Sequence, residues 1–545
     1  MQTIQLEHFQ RAAEEIGKHG DNDTLPFNID NRFIAEKPTQ LAKIAFEYFE
    51  RLNKSGKKNA ANQLNSLQIF NERLLTPTGA YGFRTSTKIH PFWNIYLNGL
   101  AIAIADANEP YRNSRAHSYR YSKDTVEFFD RSKSWRAYKE ATLNEPLLDS
   151  PNTVVIQTDI SSFYEHIYHH RVENCVDDLF GENDTVGTQI DRILNQLSSG
   201  RSFGLPVGGQ CARVLAELLM TSIDSLLSQN GIIWHRYVDD FTLVADSQAK
   251  AYEALSILSN VLADYGLSLN RSKTTLLSAK HYKDFVTAQL FASDDQASKL
   301  KEIDLYFDPY TDDPRQDYED LQQTVKEIDL QTLLAAETSK SQPDAYLVSQ
   351  ISRTLKLQTP MTALQLCRTL LSVQNLNAFR ASWPTIMRGV ISLRSDSNFS
   401  SIHATLDVCL DEVISHSKHL LLPESNCLHF LRAIRFKKTE TRSVFVASDV
   451  FNKTKFETVK RACIDCWRHW NDRPSFISVR NAWSTQGVEV QRMLWLASYK
   501  FGDDGLHFRN QVNNATDNYW ALGVESKAGT SFGKLFKQWA EKCDS

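Results

Sequence analysis

Two neighbouring aspartates, Asp239 and Asp240, separate two short apolar segments of the chain, residues 232–238 and 241–245. Apolar segments that lie two residues apart predict an antiparallel hairpin, because a tight turn returns the second strand onto the first. The aspartates would then stand at the hairpin tip, held by rigid strands and exposed to solvent. Such a tip can bind a hard cation through its carboxylate oxygens.

The segments around this hairpin alternate between predicted strands and helices. Before it we predict a strand, a helix, a loop of glycine and proline, and an apolar helix; after it come a helix that Gly266 ends and a further strand. This order predicts an α+β arrangement with helices on one face of a small antiparallel sheet. The predicted elements are residues 154–156, 163–176, 204–209, 212–227, 252–265 and 267–277.

A third carboxylate, Asp159, follows the predicted strand at residues 154–156. Because neighbouring strands lie about 4.8 Å apart, it can face the two aspartates across the sheet. Carboxylates from two strands, completed by water and substrate phosphates, match the oxygen coordination that Mg²⁺ prefers, and two such ions support in-line phosphoryl displacement. Aspartate is also common at turns for local reasons, so the pair alone leaves both interpretations open. The flanking strands and the third acid favour a metal site.

Length and composition narrow the class of protein. At about 150 residues per domain, the 545 residues predict three or four domains, or two domains and a repeat array. A composition of 42% hydrophobic and 23% charged residues excludes collagen-like and largely disordered chains. No apolar run approaches the roughly 20 residues of a membrane span, and the first residues lack a secretory pattern, so we expect a cytoplasmic protein without membrane contact. The formal net charge of −4 confines any nucleic-acid contact to local basic patches.

Four segments resemble, in order and spacing, the palm motifs A to D of reverse transcriptases. They are QTDISSFYEHIYHH at 157–170, GLPVGGQCARVLAELLM at 204–220, YVDDF at 237–241 and GLSLNRSKT at 266–274. Upstream, RTSTKIHPFWNIYLNGL at 84–100 and SYRYS at 118–122 resemble the start and the end of the fingers region. Within this family the chain is most similar to the bacterial abortive-infection and defence-associated group, through KIHPFWNIYLNGL, the form of motif A and a long helical extension.

The resemblance implies an α+β reverse-transcriptase fingers/palm core followed by an all-α helical-repeat (HEAT-like) domain. Repeated amphipathic segments in the C-terminal half agree with such an extension. The predicted regions are an N-terminal helical region at 1–80, fingers and palm at 81–300, a linker or loop at 301–325, and the helical-repeat domain at 326–545.

The resemblance also implies an activity. It is that of a Mg²⁺-dependent, RNA-directed DNA polymerase-type nucleotidyltransferase, with Mn²⁺ as a substitute ion, that acts on dNTPs in bacterial anti-phage defence (abortive infection). Some members of the group are homo-oligomers that make single-stranded DNA without a template, starting from a protein hydroxyl, so that the product is covalently attached. Two alternatives stay open: a conventional RNA-templated reverse transcriptase with RNA as its partner, and an interaction scaffold with a vestigial palm.

Residue roles follow from the matched motifs. Asp159, Asp239 and Asp240 would be the catalytic acids, and the metal ligands would be Asp159, Asp239 and the backbone carbonyl of Ile160. Tyr164 would be a steric gate against a ribose 2′-hydroxyl. The other residues expected to contact the nucleotide are Gly208, Gln210, Lys273, Arg84, Lys88, Arg115 and Arg120. Val207 stands where the broader family often has Gln.

A basic cluster stands outside the matched motifs. Aromatic rings among cations suit single-stranded nucleic acid, on which bases stack and phosphates pair. A solvated charged helix face has the same pattern, so both interpretations stay open. The cluster contains Arg432, Arg435, Lys437, Lys438 and Arg442, close to Phe430 and Phe436.

Overall fold

The computed structural model describes residues 3–79, 82–123, 128–130, 134–290, 295–303, 305, 314–520 and 529–543. Its strands are Asn71–Thr78 (β1), Gly82–Ile89 (β2), Val154–Asp159 (β3), Ile233–Tyr237 (β4), Asp240–Ala245 (β5) and Thr275–Ser278 (β6). Its α-helices are Leu6–His19 (α1), Ile29–Glu36 (α2), Pro38–Ser55 (α3), Lys57–Asn65 (α4), Pro91–Asn108 (α5), Trp135–Leu143 (α6), Phe163–His166 (α7), His169–Phe180 (α8), Val186–Leu197 (α9), Gln210–Gln229 (α10), Gln248–Asp264 (α11), Ala279–Leu290 (α12), Gln296–Glu302 (α13), Pro314–Lys326 (α14), Leu330–Thr338 (α15), Ala345–Arg353 (α16), Pro360–Leu371 (α17), Val373–Ala378 (α18), Trp383–Ser395 (α19), His403–His416 (α20), Glu424–Ile434 (α21), Glu440–Val444 (α22), Glu457–Trp470 (α23), Arg473–Asn481 (α24), Val488–Ser498 (α25), Gly502–Trp520 (α26) and Phe532–Cys543 (α27). Within these ranges, no helix has both the length and the apolar character that crossing a bilayer demands.

The N-terminal helices pack around α5, which is buried on nearly every side. Pro91 occupies its first position, and the His90 side chain accepts a hydrogen bond from the Phe92 N–H, so the sequence fixes where this helix begins. Helix α1 crosses α5 so closely that a Cβ at Gly99 would lie 2.4 Å from the Phe9 ring. Strand β1 lies inside the region 1–80 that the sequence predicts as helical; it becomes recognisable only through its pairing with β2.

A four-stranded antiparallel sheet in the order β4-β5-β3-β6 carries the aspartates. The predicted hairpin is confirmed as β4 and β5, and β5 pairs with β3 so that Asp159 lies opposite Asp240. Helix α11 packs on β3 and β5 from one side. The prediction that helices cover one face is wrong, because Val155 and Val244 face a second, smaller core with Tyr282 of α12.

The segment after β3 departs from the single helix predicted at 163–176. It forms α7 and α8, and Ile167 and Tyr168 between them are extended. The extended residues pair with the loop that precedes α10, since Gly204 N–H donates to the Ile167 carbonyl at 2.8 Å and Tyr168 bridges to Phe203. This break brings motif A and the glycine loop together.

A buried ion network lies behind the hairpin. Arg236 of β4 donates to both carboxylate oxygens of Asp224, at 2.7 and 3.0 Å, and of Glu217, at 2.9 and 3.0 Å. Both acids belong to α10, two helical turns apart. A fully buried guanidinium needs such complete pairing, because its desolvation is costly. The network therefore fixes the position of β4 against α10.

The C-terminal half is built of helices that pack on one another in succession: α16 on α19, α19 on α21, α21 on α23, and α23 on α25. The HEAT-like repeat and the domain boundaries stay predictions. Helix α14 begins at Pro314, inside the predicted linker or loop 301–325; proline is favoured at a first helical position as well as in loops. Residues 304 and 306–313 of that linker lie outside the described residues.

The basic cluster near α21 packs against acids. Arg442 is fully buried and contacts Asp407 at 3.1 Å and Asp411 at 2.6 Å. Lys438 contacts Asp472 at 3.0 Å. The prediction that Arg442 belongs to an open nucleic-acid surface is therefore wrong. Its charge is paired with the two acids of α20, and these ion pairs hold α22 against α20.

A second buried ion cluster joins the N-terminal helices to the C-terminal ones. Asp30 of α2 contacts Arg461 of α23 at 2.7 Å and Arg492 of α25 at 2.6 Å. Glu489 contacts Arg461 at 2.9 Å and lies 3.6 Å from His90, just before α5. These ion pairs thus connect regions of the chain that are distant in sequence.

Aromatic rings make a further junction between α2 and α27. The Phe33 ring meets the rings of Phe532 and Phe536 edge-on, at centroid distances of 5.5 and 5.3 Å. The Trp539 indole N–H donates to the Glu36 carboxylate at 2.7 Å. Helices α2 and α27 therefore belong to the same hydrophobic core.

We expect Arg236→Met to lower the free energy of unfolding by about 3–5 kcal/mol, because it leaves Asp224 buried without a counter-charge. Urea unfolding followed by circular dichroism measures this. The control is Arg136→Met, which removes an exposed pair with Glu140 and should cost about 0.5 kcal/mol. Equal losses in the two variants would contradict a structural role of the Arg236 network.

Candidate active site

Three carboxylates meet where β3 ends and the β4–β5 hairpin turns. Asp159 and Asp240 are opposite each other in the strand register, and Asp239 occupies the turn. Val238, just before it, has a left-handed backbone with φ of 58°. The Ile160 N–H donates to the Asp239 carbonyl at 3.1 Å, which fixes the turn against the end of β3. The sheet thus brings together the three acids that the sequence predicts.

Two groups from behind the sheet hold the strained turn. The Val238 N–H donates to the Ser118 hydroxyl at 2.9 Å, and the Arg236 guanidinium donates to the Val238 carbonyl at 2.8 Å. Ser118 in turn donates to Glu217 at 2.6 Å. The ion network therefore extends to the residue that presents Asp239.

The carboxylates are crowded. Burial, the negative charges of Asp159 and Asp240, and a carboxyl–carboxyl contact with Asp159 raise the pKa of Asp239 to about 7. Burial and the charge of Asp159 also raise the pKa of Asp240, against the opposing charges of Lys273 and Lys139. Without a bound cation, Asp239 therefore stays protonated at pH values where an ordinary aspartate is ionised.

Motif D contributes two contacts to Asp159. The Lys273 ammonium lies 2.6 Å from its carboxylate, with the lysine side chain 64% exposed. The Asn270 N–H donates to the Asp159 carbonyl at 2.7 Å, and the Asn270 side chain donates to the carboxylate at 3.4 Å. Lys273 can swing away from Asp159 toward a phosphate, because most of its side chain is in solvent.

The residues fit a divalent cation of the Mg²⁺ class. Among the described residues, no three His, Cys, Asp or Glu side chains are preassembled as a metal site. The donors that do converge are oxygens, and the negative charges of Asp159 and Asp240 beside Asp239 mark a position where a cation would be favoured. Water, the Ile160 carbonyl and substrate phosphates would complete the coordination.

An N-terminal segment, residues 21–23, covers the glycine loop of motif B. The Asp23 N–H donates to the Gly208 carbonyl at 2.9 Å, and a Cβ at Gly208 would lie 2.2 Å from the Asn22 amide. Gly208 has φ of 114°, so both its backbone and its neighbour require glycine. Gln210 starts α10 and accepts a hydrogen bond from Arg213 at 2.8 Å.

Tyr164 belongs to a cluster beside this loop. Its hydroxyl and that of Tyr119 share a hydrogen bond, and the Arg213 guanidinium stacks over the Tyr119 ring at 5.1 Å. Burial, and then the neighbouring Tyr119, raise the pKa of Tyr164. The Tyr164 carbonyl accepts from the Leu205 N–H at 2.8 Å, which connects motif A to the glycine loop.

The four predicted fingers cations do not converge on one site. Lys88 is buried in an ion pair with Asp21, and Arg120 contacts Glu109 at 2.5 Å and two backbone carbonyls. Arg115 lies 3.7 Å from Glu145, and Arg84 is exposed on β2. The structure disagrees with a triphosphate contact for Lys88 and Arg120, because their charges are already paired with Asp21 and Glu109.

Several residues of the site are not predicted from the sequence. Arg213 could have been found, since it lies three positions after Gln210 on the same helix face. Lys139 and Trp135 of α6 line a cleft of about 490 Å³ beside Asp159 and Asp240. No motif marks them, because α6 precedes motif A and reaches the site only through the fold.

Residues 118–304 match the sequence model of the family described as reverse transcriptase (RNA-dependent DNA polymerase). The retron Ec86 reverse transcriptase of Escherichia coli is 26% identical over 128 residues, which are 22% of this chain and 38% of that protein. A telomerase structure from Candida albicans, in complex with a fragment of telomeric RNA, aligns over 64% of this chain and 68% of its own, with 11% identity and a TM-score of 0.30. Apo telomerase from Candida tropicalis aligns over 68% of both chains, with 12% identity and a TM-score of 0.32.

The matched region is a reverse transcriptase domain, and the enzyme class that such a domain defines is the RNA-directed DNA polymerase type of nucleotidyltransferase. The curated relative is bacterial, and this chain spans well under half of its length. The activity of the whole chain is therefore a proposal. Membership of the abortive-infection group stays a prediction.

We expect Asp239→Asn to stabilise the metal-free protein. The folded-state pKa of Asp239 lies above its unfolded value, so its ionisation opposes folding, and this cost grows as pH rises from about 4 to 7. At pH 8 in EDTA the variant should gain about 2 kcal/mol in urea unfolding, and near pH 4 almost nothing. The matched control, Asp246→Asn, removes an exposed aspartate that pairs with Lys250 and should give no gain. A variant no more stable than the parent at pH 8 would rule out carboxylate crowding.

Proposed function

We propose that this protein is a Mg²⁺-dependent DNA polymerase of the reverse-transcriptase type. The observation that carries the proposal is the convergence of Asp159, Asp239 and Asp240 on adjacent strands, with like-charge crowding that a cation relieves. Mn²⁺ would serve as a substitute, because it also takes oxygen ligands. Two bound ions would supply charge stabilisation to the attacking and leaving oxygens.

The chain's own groups would orient the reactants. Attack of a 3′-oxygen on the α-phosphate of a dNTP forms the new phosphodiester bond and releases pyrophosphate. Lys273, held at Asp159 and mostly in solvent, would move to the departing pyrophosphate and neutralise or protonate it. Tyr164 would face the sugar of the nucleotide.

We further propose that synthesis needs no template and starts from a protein hydroxyl, so that single-stranded DNA stays attached to the chain. One observation favours this over template copying: residues 21–23 lie against the glycine loop, where motif B of a copying enzyme must leave room for a paired base. Val207, where Gln is frequent in the family, agrees with altered template positioning. A role in anti-phage defence and a homo-oligomeric state rest on the family resemblance.

Two rival functions make different predictions. A conventional reverse transcriptase would use an RNA template, and the similarity to a retron reverse transcriptase favours it. An interaction scaffold would have no use for three carboxylates held in a position that costs stability. Dependence on RNA and primer separates the first rival from the proposal, and the absence of any product separates the second.

Purified protein incubated with labelled dNTPs and Mg²⁺, without primer or template, should yield long DNA whose mobility changes after protease digestion. Asp239→Asn should reduce synthesis about a thousandfold, since the metals supply several kcal/mol of transition-state stabilisation. Asp246→Asn should retain it. In infected bacteria, the same Asp239 variant should lose protection against phage plaques while Asp246→Asn keeps it.

Other results of this assay would contradict the proposal. Product that appears only with added RNA and primer would make the protein a copying enzyme. Product unaffected by protease, with no nucleotide-modified Tyr, Ser or Thr in mass spectrometry, would exclude a protein primer. If Asp239→Asn protects against phage as well as the parent does, polymerisation is not needed for defence.

Tyr164→Ala should admit ribonucleotides, because it removes the ring expected to meet the 2′-hydroxyl. We expect the ratio of ribonucleotide to deoxynucleotide incorporation to rise about tenfold or more, measured as kcat/KM for each. Tyr168→Ala is the matched control, since this tyrosine is exposed in the same motif and contacts Phe203. An unchanged ratio in Tyr164→Ala would leave Tyr164 as a packing residue.

A further inference from the structure

A cationic cavity lies between the N-terminal segment and the C-terminal helices, with a volume of about 240 Å³. One wall is the segment at residues 25–29, which leads into α2, and the others come from α21 and α23. The cavity is separate from the cleft beside the aspartates, because the described residues of its lining include none of those three acids. It therefore needs an explanation of its own.

The lining carries an excess of positive charge. It contains five arginines and Lys88, and Asp465 is the one carboxylate among its described lining residues. Lys88 is neutralised by Asp21, and Arg461 by Asp30 and Glu489. The arginines are Arg32, Arg432, Arg435, Arg461 and Arg468.

Among the described cations of the lining, Arg432 is the one without an ion pair. Among the described residues no carboxylate lies within ion-pair distance of it; its guanidinium donates to the Phe27 carbonyl and stands 5.7 Å from the centre of the Phe27 ring. Its Nε atom is buried and makes no hydrogen bond to any described residue, and the same holds for the Nε atom of Arg435. Two donors are thus out of water without acceptors, which is unfavourable in a folded protein.

The nearby carboxylate is already shared. Asp465 lies 2.9 Å from Arg435, 3.2 Å from Arg468 and 3.5 Å from His469. Burial and the charge of Arg435 lower the pKa of Arg432 to about 10, although Asp465 acts in the opposite direction. The protein therefore holds a positive charge where an added anion would be favoured.

The remaining lining is apolar. Leu25 and Phe27 come from the N-terminal segment, and Leu428, Leu431 and Met493 from α21 and α25. A simple inorganic anion would leave this surface without a partner. An anion that carries a flat apolar group would cover both parts of the cavity.

We propose that this cavity is a binding site for an organic phosphate, with its phosphate on Arg432 and Arg435 and its apolar part against Phe27, Leu428 and Met493. Nucleotides are the members of this chemical class that serve as probes. The site is distinct from the polymerase centre and does not depend on the metal. It remains valid if the proposed polymerase activity fails.

The position of the site connects it to the glycine loop. The segment that forms its wall continues back to Asp23, which contacts Gly208. The same segment is fixed from the C-terminal helices, since Arg388 donates to the Asp23 carbonyl at 3.0 Å and His429 contacts the Thr24 carbonyl at 3.1 Å. An occupant would therefore brace the segment that covers motif B.

Calorimetric titration of the full chain tests the proposal. The protein carries Asp239→Asn and the buffer contains EDTA, so that neither turnover nor metal-dependent nucleotide binding contributes. dATP should bind at one saturable site, and Arg432→Met in the same background should weaken it by about tenfold to a hundredfold, the value of one charge-assisted contact. Arg473→Met, which removes an exposed arginine paired with Asp504, is the matched control and should bind like the parent.

Unfolding in the absence of ligand separates binding from folding. Arg432→Met should be at least as stable as the parent, because no carboxylate loses its partner. Inorganic phosphate and pyrophosphate should bind more weakly than dATP; equal affinity would overturn the organic part of the proposal. The absence of saturable dATP binding, or equal binding by a stable Arg432→Met, would overturn the site itself.

Discussion

The pairing of Arg236 with Asp224 and Glu217 is the contact on which the geometry of the candidate site depends. It fixes the hairpin strand against α10, and the same guanidinium donates to the carbonyl of Val238, whose left-handed backbone presents Asp239. A non-glycine residue in that conformation costs about 1–3 kcal/mol and persists only when its surroundings impose it. The buried network supplies that constraint by fixing β4 to α10, the helix that precedes it in the chain.

At the tip of the hairpin, in contrast, the electrostatic interactions are unfavourable. Three carboxylates stand where their charges repel and where Asp239 keeps a proton near neutral pH. Such an arrangement lowers stability, and the fully satisfied charges behind it offset the loss. The stabilising ion pairs of Arg236 and the repulsion around Asp239 thus lie only a few residues apart in the chain. In this way a rigid scaffold can hold a reactive group in an unfavourable position.

The hairpin could be predicted from the sequence because apolar periodicity and a two-residue turn are local signals, and Asp159 could be placed because strand pairing is regular. Local signals do not report which charges meet after folding. Lys88 and Arg120 are of the residue types that bind phosphate, but Asp21 and Glu109 already neutralise their charges. Arg442 and Arg432 belong to one basic stretch, but Arg442 is buried between two acids, whereas no acid of the described part of the chain lies within ion-pair distance of Arg432. The second core under the sheet was missed because α12 carries more polar residues than apolar ones around Tyr282.

The contacts of α2 with α23, α25 and α27 bear on how the chain folds during synthesis. Asp30 and Phe33 leave the ribosome long before their partners Arg492, Phe532 and Phe536. Since domains fold as their residues become available, the N-terminal helices must wait for several hundred residues before their apolar and charged surfaces are covered. Long-range closure of this kind slows folding and exposes the nascent chain to chaperones and proteases. Helix α2 would therefore become fixed in place only after α25 and α27 had been synthesised.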